Sequence, residues 1–529
     1  MRTTTAILFL GLAGAALVGA QPAKEEPPGY VDRFPSAMPA RGRRFYVSPA
    51  GNDAATGTSP EKAWRTLEKA SACDCRPGDQ ILLEGGTTIA GTLRLRGVKG
   101  TAAQPVTVTS YGKGRATIDG GRGSAIEVDA SEGVTIRDLK LIGAGPKTGN
   151  QRGIGLLITG SKLVRAERLD TSGFQHSGLE IRGSENVKVT HVEAHENGFA
   201  GISSSGPPSK NVYVGYSRAI SNPGDPTVLK NHSGNGIVLY EVDGATIEYS
   251  EAAYNGWDMP WTGNGPVGIW IATHANRVLI QFCVAHHNRS SSPIDGGGFD
   301  LDGGATNSIL QYNYSHDNFG SGYLICQYLG APPFKGNTVR YNISQDDGLR
   351  SHNSGIHVWV GGSGMESTLV HNNTIFNTKG SAVSMAGDPR YLDERLMAVF
   401  YNNIFYSTKP QILTGTVHAH FAGNLYWSTG LPGFLADTTD SLKAWVDGPG
   451  IFADPMLRRG GPALLTDPMK LPALAEFLLL SGSPAIASGV DLRTQFGIDP
   501  GRRDFFGNPL PAAGPLSIGA HEAGGAKAK

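Results

Sequence analysis

The chain has 529 residues, with 46 Lys and Arg set against 46 Asp and Glu, for a formal net charge of zero. That balance excludes a nucleic-acid or membrane-surface partner held mainly by charge. The 73 glycines suit many tight turns between short strands, not a helical bundle.

Residues 1–20 read as an export signal. Met1-Arg2 precedes an apolar run from Ala6 to Leu17, and Val18-Gly19-Ala20 has the small-x-small form of a cleavage site. The run is short for a membrane span, so a secreted or periplasmic protein is expected, with no membrane partner after cleavage. Residues 21–44, with paired prolines and mixed charges, read as a flexible leader. The span 45–125 reads as an N-terminal cap and first coils. An amphipathic helix is expected from Pro60 to Ala72 with Trp64, Leu67 and Ala70 on one side, followed by strands at 79–83 and 105–110. A helix there can cover the open end of a strand stack. Cys73 and Cys75 stand too close for an easy mutual disulfide. Cys283 and Cys326 either pair or stay buried thiols. No zinc-type Cys/His spacing is present.

From about residue 126 to 430 the chain repeats. One set of segments includes Val134-Thr135-Ile136, Val187-Lys188-Val189, Thr246-Ile247-Glu248, Val278-Leu279-Ile280, Ile309-Leu310-Gln311 and Thr338-Val339-Arg340. A second set interleaves with it, among them Gly178-Leu179-Glu180, Gly236-Ile237-Val238, Gly268-Ile269-Trp270, Gly298-Phe299-Asp300, Gly322-Tyr323-Leu324 and Gly355-Ile356-His357. Turns rich in His, Asn and Asp follow the first set, such as His195-Glu196-Asn197, His286-His287-Asn288 and His316-Asp317-Asn318. Short alternating strands cannot bury their apolar faces alone but can do so coil on coil, which predicts an all-β, parallel β-helix solenoid. Asn313, Asn342, Asn372 and Asn402 are expected to stack as a ladder. Residues 431–529 read as a C-terminal capping segment.

The opening Tyr46-Val47-Ser48-Pro49-Ala50-Gly51-Asn52-Asp53, then Gly57-Thr58, Trp64-Arg65-Thr66-Leu67 and Pro77-Gly78-Asp79-Gln80-Ile81, resemble the start of many right-handed parallel β-helix (pectate-lyase-like) carbohydrate-active enzymes. Ser481-Gly482-Ser483-Pro484, Asp504-Phe505-Phe506-Gly507-Asn508-Pro509 and Ile518-Gly519-Ala520-His521-Glu522 resemble the closing segment of the same superfamily. The resemblance implies a right-handed solenoid and a secreted enzyme acting on a carbohydrate. It does not imply a reaction, because fold alone does not set chemistry.

The chemistry is sought in Gly298-Phe299-Asp300-Leu301-Asp302-Gly303. Alternation along a strand turns Phe299 and Leu301 one way and Asp300 and Asp302 the other, about 6.6–6.8 Å apart. The outward columns read Glu180, Val238, Trp270, Asp300, Leu324, His357 and Arg182, Tyr240, Ala272, Asp302, Cys326, Trp359. Exposed carboxylates beside Trp270, Trp359 and His357 suggest a catalytic pair or a cation site. Insertions are expected at 206–233, 256–266, 329–336 and around Arg350. Trp257, Trp261, Trp270 and Trp359, with Tyr240, offer faces on which sugar rings stack. His274, Tyr328, Arg350 and His352 stand at strand ends near the same face.

Three mechanisms fit. Asp300 and Asp302 can hydrolyse a glycosidic bond as acid and base or nucleophile, with His357, Asp295 or Asp346 replacing one partner; this needs no cofactor. Alternatively Asp295, Asp300 and Asp302 hold Ca²⁺ and a base cleaves a uronic-acid polymer by β-elimination. No Lys or Arg lies in the strand itself, although Lys335 and Arg350 are within the next coils. In the third, the solenoid only binds glycans. The glycoside hydrolase is the favoured reading, as a monomer with a carbohydrate substrate.

Overall fold

The computed structural model describes residues 29–35, 42–148, 153–387, 397–415, 419–430, 448–458 and 464–524. The export signal expected at 1–20 lies outside the described residues.

Three long parallel sheets of 14, 12 and 14 strands run the length of the described chain. Each coil contributes one strand to each sheet, so the chain winds as a parallel β-helix. The first repeat set builds the first sheet, where Val164, Val187 and Val212 stand in register. The second set builds the 12-stranded sheet, where Ile237, Ile269, Phe299 and Tyr323 stand in register. These inward residues are fully buried and form one continuous core, and that burial is what holds coils too small to fold alone.

The third sheet occupies segments read from sequence as turns. His195, His286 and His316 end strands Glu193–His195, Val284–His286 and Tyr314–His316. The strands are three residues long, and their inward Ala194, Ala285 and Ser315 are small, so the apolar period that marks a strand is faint there.

Asparagine ladders edge the third sheet on both sides. One runs Asn313, Asn342, Asn373, Asn403, Asn424, each side-chain amide donating to the next Oδ1 at 2.9–3.0 Å. Asn372 and Asn402, expected in it, are one residue off. Arg340 pairs in register with His371 and His371 with Tyr401, which puts Asn373 and Asn403 in the column. Asn372 and Asn402 donate instead to the Ser517 and Val490 carbonyls. The second ladder runs Asn197, Asn222, Asn255, Asn288, Asn318 and ends on Asp347.

Two further expectations, the helix over 60–72 and the unpaired Cys73 and Cys75, are corrected, and the leader and C-terminal segment are seen packed on the coils. The helix expected over 60–72 is a 3-10 turn, Pro60–Lys62, and a short α-helix, Leu67–Ser71. Trp64 breaks it by bridging to Val47 in extended conformation, although Trp64, Leu67 and Ala70 are buried as expected. Cys73 and Cys75 form a disulfide with Cα atoms 5.2 Å apart, because the chain bends just after that helix; Cys283 and Cys326 are free. Part of the leader is pinned to the first sheet. Tyr30 N–H donates to Thr246 Oγ1, Val31 N–H donates to Asn211 Oδ1, and Asp32 pairs with Lys188. The Tyr30 ring packs on Tyr213, so an aromatic anchor holds what composition alone reads as flexible. Finally, the C-terminal segment packs along the side of the coils, where Leu471, Leu474, Phe477 and Phe505 cover Tyr312, Tyr314 and Tyr341.

Candidate active site

The acid strand Phe299–Leu301 lies mid-sheet, between Ile269–Ala272 and Tyr323–Gln327. The outward column is as expected: Trp270, Asp300, Leu324 and His357 are in register. Gly298 opens the strand because Ser315 and the Gly322 carbonyl stand where its Cβ would be.

Long loops connect the third sheet to this one at 221–234, 254–268, 287–298 and 346–353. The insertion expected over 206–233 is therefore shorter. Residues 209–215 and 218–220 are ordinary coil strands. Likewise Phe334–Lys335 is a short strand paired to Met365–Glu366.

Asp300 is not the exposed carboxylate that strand alternation suggests. It is 2% exposed, and its Oδ1 has no hydrogen-bond partner. Its neighbours above and below, Leu324 and Trp270, are buried apolar side chains, so the position is dry. Asp302, one step past the strand, is half-buried. Its N–H donates to the Ile271 carbonyl and its Oδ1 accepts the Gly303 N–H at 2.7 Å. The 287–298 loop supplies a third acid: Asp295 Oδ2 accepts the Gly265 N–H at 2.8 Å, and its Oδ1 lies 3.7 Å from His352 Nε2. The His352 ring stacks on His357 at 4.0 Å, and His357 Nδ1 meets Ser384 Oγ at 2.7 Å.

Burial raises all three carboxyls, and the charge of Asp302 reaches the other two. Burial pushes Asp295 up to about 7, with the Asp302 charge adding and the Gly265 N–H opposing. Burial pushes Asp302 up to about 6, against the Gly303 N–H and the Cys326 thiol. Asp300 is raised well above the carboxylate range by burial, then by the charges of Asp302 and Asp295. Burial brings His352 down to about 4 and, with His352 beside it, His357 well below its usual value. At neutral pH the pocket holds neutral imidazoles and carboxyls divided between acid and base forms. No Lys or Arg is among the causes acting on these carboxyls.

The aromatic residues divide. Trp359 is 42% exposed and Trp257 50%. Trp359 stands one rung from Cys326, whose thiol feels all three acids. Trp270, expected as a sugar-stacking surface, is instead buried, edge-on to His232 and Tyr240 at 4.8 and 5.4 Å. Large rings on adjacent coils close over each other, and Phe199 and Val267 seal the cluster. Tyr240 donates to or accepts from His232 Nε2 at 3.1 Å and senses the charges of Asp302 and Asp300. Tyr328 leans over Gly303, next to Asp302. Trp261 is half-buried and donates to Asn264; no described contact ties it or Trp257 to the acids.

Three expected residues serve elsewhere. Arg350 donates to the Ser290 carbonyl and lies over Phe319. His274 pairs with Glu241. Asp346 Oδ1 accepts from both the N–H and the hydroxyl of Thr378. His232, Cys326 and Ser384 were not singled out by sequence. Cys326 stood in an outward column, but nothing in the sequence marked His232, which reaches Trp270 from an insertion.

No curated protein sequence matches the chain. Among solved structures, the GH136 lacto-N-biosidase of Eubacterium ramulus is similar at 18% identity and a TM-score of 0.50, over 73% of this chain and 68% of that one. Pectate lyase Pel9A is similar at 17% identity and a TM-score of 0.48, over 92% and 98%. A PL6 family alginate lyase is similar at 14% identity and a TM-score of 0.46, over 76% and 56%. The family described as Pel9A-like, right handed beta helix region matches residues 45–323. With more than half its length matched and three parallel sheets wound coil on coil, the chain belongs to the Pel9A-like right-handed β-helix family.

Proposed function

We propose that the chain is an exported glycoside hydrolase in which Asp295 and Asp302 carry the acid–base chemistry and Asp300 stands behind them. The observation that supports this is a group of three carboxyls raised by burial, where the charges of Asp302 and Asp295 add at Asp300 and that of Asp302 adds at Asp295, with no cationic side chain among the causes. Asp295, at about 7, keeps a proton to give to the glycosidic oxygen as the bond to C1 breaks. Asp302, at about 6, is mostly ionised at neutral pH and takes the proton of the water that attacks C1, or attacks C1 itself. His352 Nε2 stands 3.7 Å from the free oxygen of Asp295, and Trp359 and Tyr328 offer apolar faces to the sugar.

The same three acids are an oxygen donor set for Ca²⁺, and the partnerless Asp300 Oδ1 is compatible with a missing ligand. A lyase also needs a base, and the side chains that act on this pocket include no Lys or Arg. The test is product analysis on a panel of neutral and uronic-acid glycans, with and without chelator. Saturated reducing ends formed equally in chelator support the hydrolase. Products absorbing as unsaturated uronides, with activity lost in chelator, overturn it.

A further inference from the structure

A second cluster of ligating side chains lies on the third sheet, away from the acids. Strands Val284–His286 and Tyr314–His316 pair so that His286 faces His316. The next residue in each coil, His287 and Asp317, bends the chain at φ 53. The result is a two-by-two array on adjacent rungs. The rings of His286 and His316 stack at 4.8 Å, the natural spacing of neighbouring coils. His287, His316 and Asp317 each bring a ligand atom within 4.8 Å of the others, and His316 is fully buried.

Hydrogen bonds around the array set its tautomers. His316 Nε2 lies 3.2 Å from the Leu465 carbonyl, which only accepts, so Nε2 carries the hydrogen and neutral His316 has its lone pair on Nδ1. That Nδ1 is 2.9 Å from Asp317 Oδ2. A lone pair and a carboxylate oxygen so close take either a proton or a metal ion between them. On the other side, Arg218 pairs with Glu251, and Glu251 Oε1 takes His286 Nε2–H at 3.1 Å. His286 Nδ1 is then an acceptor facing His287 Nδ1 at 2.9 Å. His287 donates there and keeps its lone pair on Nε2. A carboxylate–histidine relay behind a ligand is how metal sites orient imidazole.

We propose that His287, His316 and Asp317 bind one divalent ion of the zinc class, with Arg218, Glu251 and His286 as positioning residues. Two imidazole nitrogens and one carboxylate oxygen suit Zn²⁺ or Co²⁺ over Ca²⁺, with water completing the shell. The ion would join two coils and, through Leu465, the C-terminal segment. It would also brace the start of the 287–298 loop, whose far end carries Asp295. The site does not depend on the reaction proposed above.

The test is titration of chelator-stripped, tag-free full-length protein with Zn²⁺ by calorimetry and with Co²⁺ by visible absorption. One ion per chain is expected, with tetrahedral-type Co²⁺ bands and a raised Tm. His287→Gln and Asp317→Asn, at half-buried positions, are expected to weaken binding at least 100-fold, and Glu251→Gln by 10–100-fold. Asp302→Asn should bind as the parent does. No saturable binding at millimolar Zn²⁺ overturns the proposal, because a proton then bridges His316 and Asp317. Unchanged affinity in both ligand variants overturns it too.

Discussion

Replacing Asp295 with Asn should make the protein more stable, and increasingly so as pH rises. Asp295 is 13% exposed at its side chain, and its carboxyl moves from 3.8 to about 7 on folding. A group raised on folding adds stability below its unfolded value, and that stability is lost as pH climbs through the folded value. At about 1.36 kcal/mol per pH unit, the full move costs the folded state about 4 kcal/mol above pH 7. Asn cannot ionise, and its Oδ1 can still accept the Gly265 N–H that Asp295 accepts now. With roughly 2.1 cal/mol/K of unfolding entropy per residue, 529 residues give about 1.1 kcal/mol/K. The Tm advantage of Asp295→Asn should therefore widen by about 4 °C between pH 4 and pH 8. Scanning calorimetry of both proteins across that range measures it. The same variant should lose turnover, so stability and activity move in opposite directions. A Tm gap that stays flat with pH, or narrows, refutes the placement of Asp295 in a dry, like-charged pocket.

Removing the proton acceptor by Asp302→Asn should lower kcat by about 10²–10⁴-fold and, because its carboxyl is also raised on folding, to about 6, should raise Tm above pH 6 by less than Asp295→Asn does, read by reducing-end assay and calorimetry together. The pH profile of kcat/KM should be a narrow bell, rising near 6 as Asp302 ionises and falling near 7 as Asp295 loses its proton; the two limbs belong to the coupled group, and a plateau extending to pH 9 would count against the assignment. Trp359→Ala should raise KM roughly 2–12-fold through lost ring stacking and leave kcat nearly intact, while Trp270→Ala, in a sealed cluster, should lower Tm instead. Asn318→Ala empties a ladder position that makes contacts in both directions and should cost about 1–3 kcal/mol, measured by urea unfolding.

The solenoid was legible because its signal repeats. Inward aliphatic residues recur coil after coil, as at Val164, Val187 and Val212, and each copy reinforces the next. The same repetition sets the outward column and puts Asp300 between Trp270 and Leu324. The third sheet escaped because three-residue strands such as Glu193–His195 are too short to show a period. In the asparagine ladder, Asn372 and Asn402 sit one residue off the column because strand register, which the Tyr-Asn and His-Asn motifs do not encode, sets it.

The sequence by itself determined the coil, the strand carrying Asp300 and Asp302, and the aromatic company on that sheet, since period-two alternation and rung stacking are local rules. Tertiary structure alone decided which of those groups meet in a dry pocket. Asp295, His352 and His232 come from loops whose paths follow no period. Whether Asp300 is solvated or buried depends on what closes over it. Burial, not spacing along a strand, sets the proton affinity of these carboxyls, and burial is a property of the whole fold.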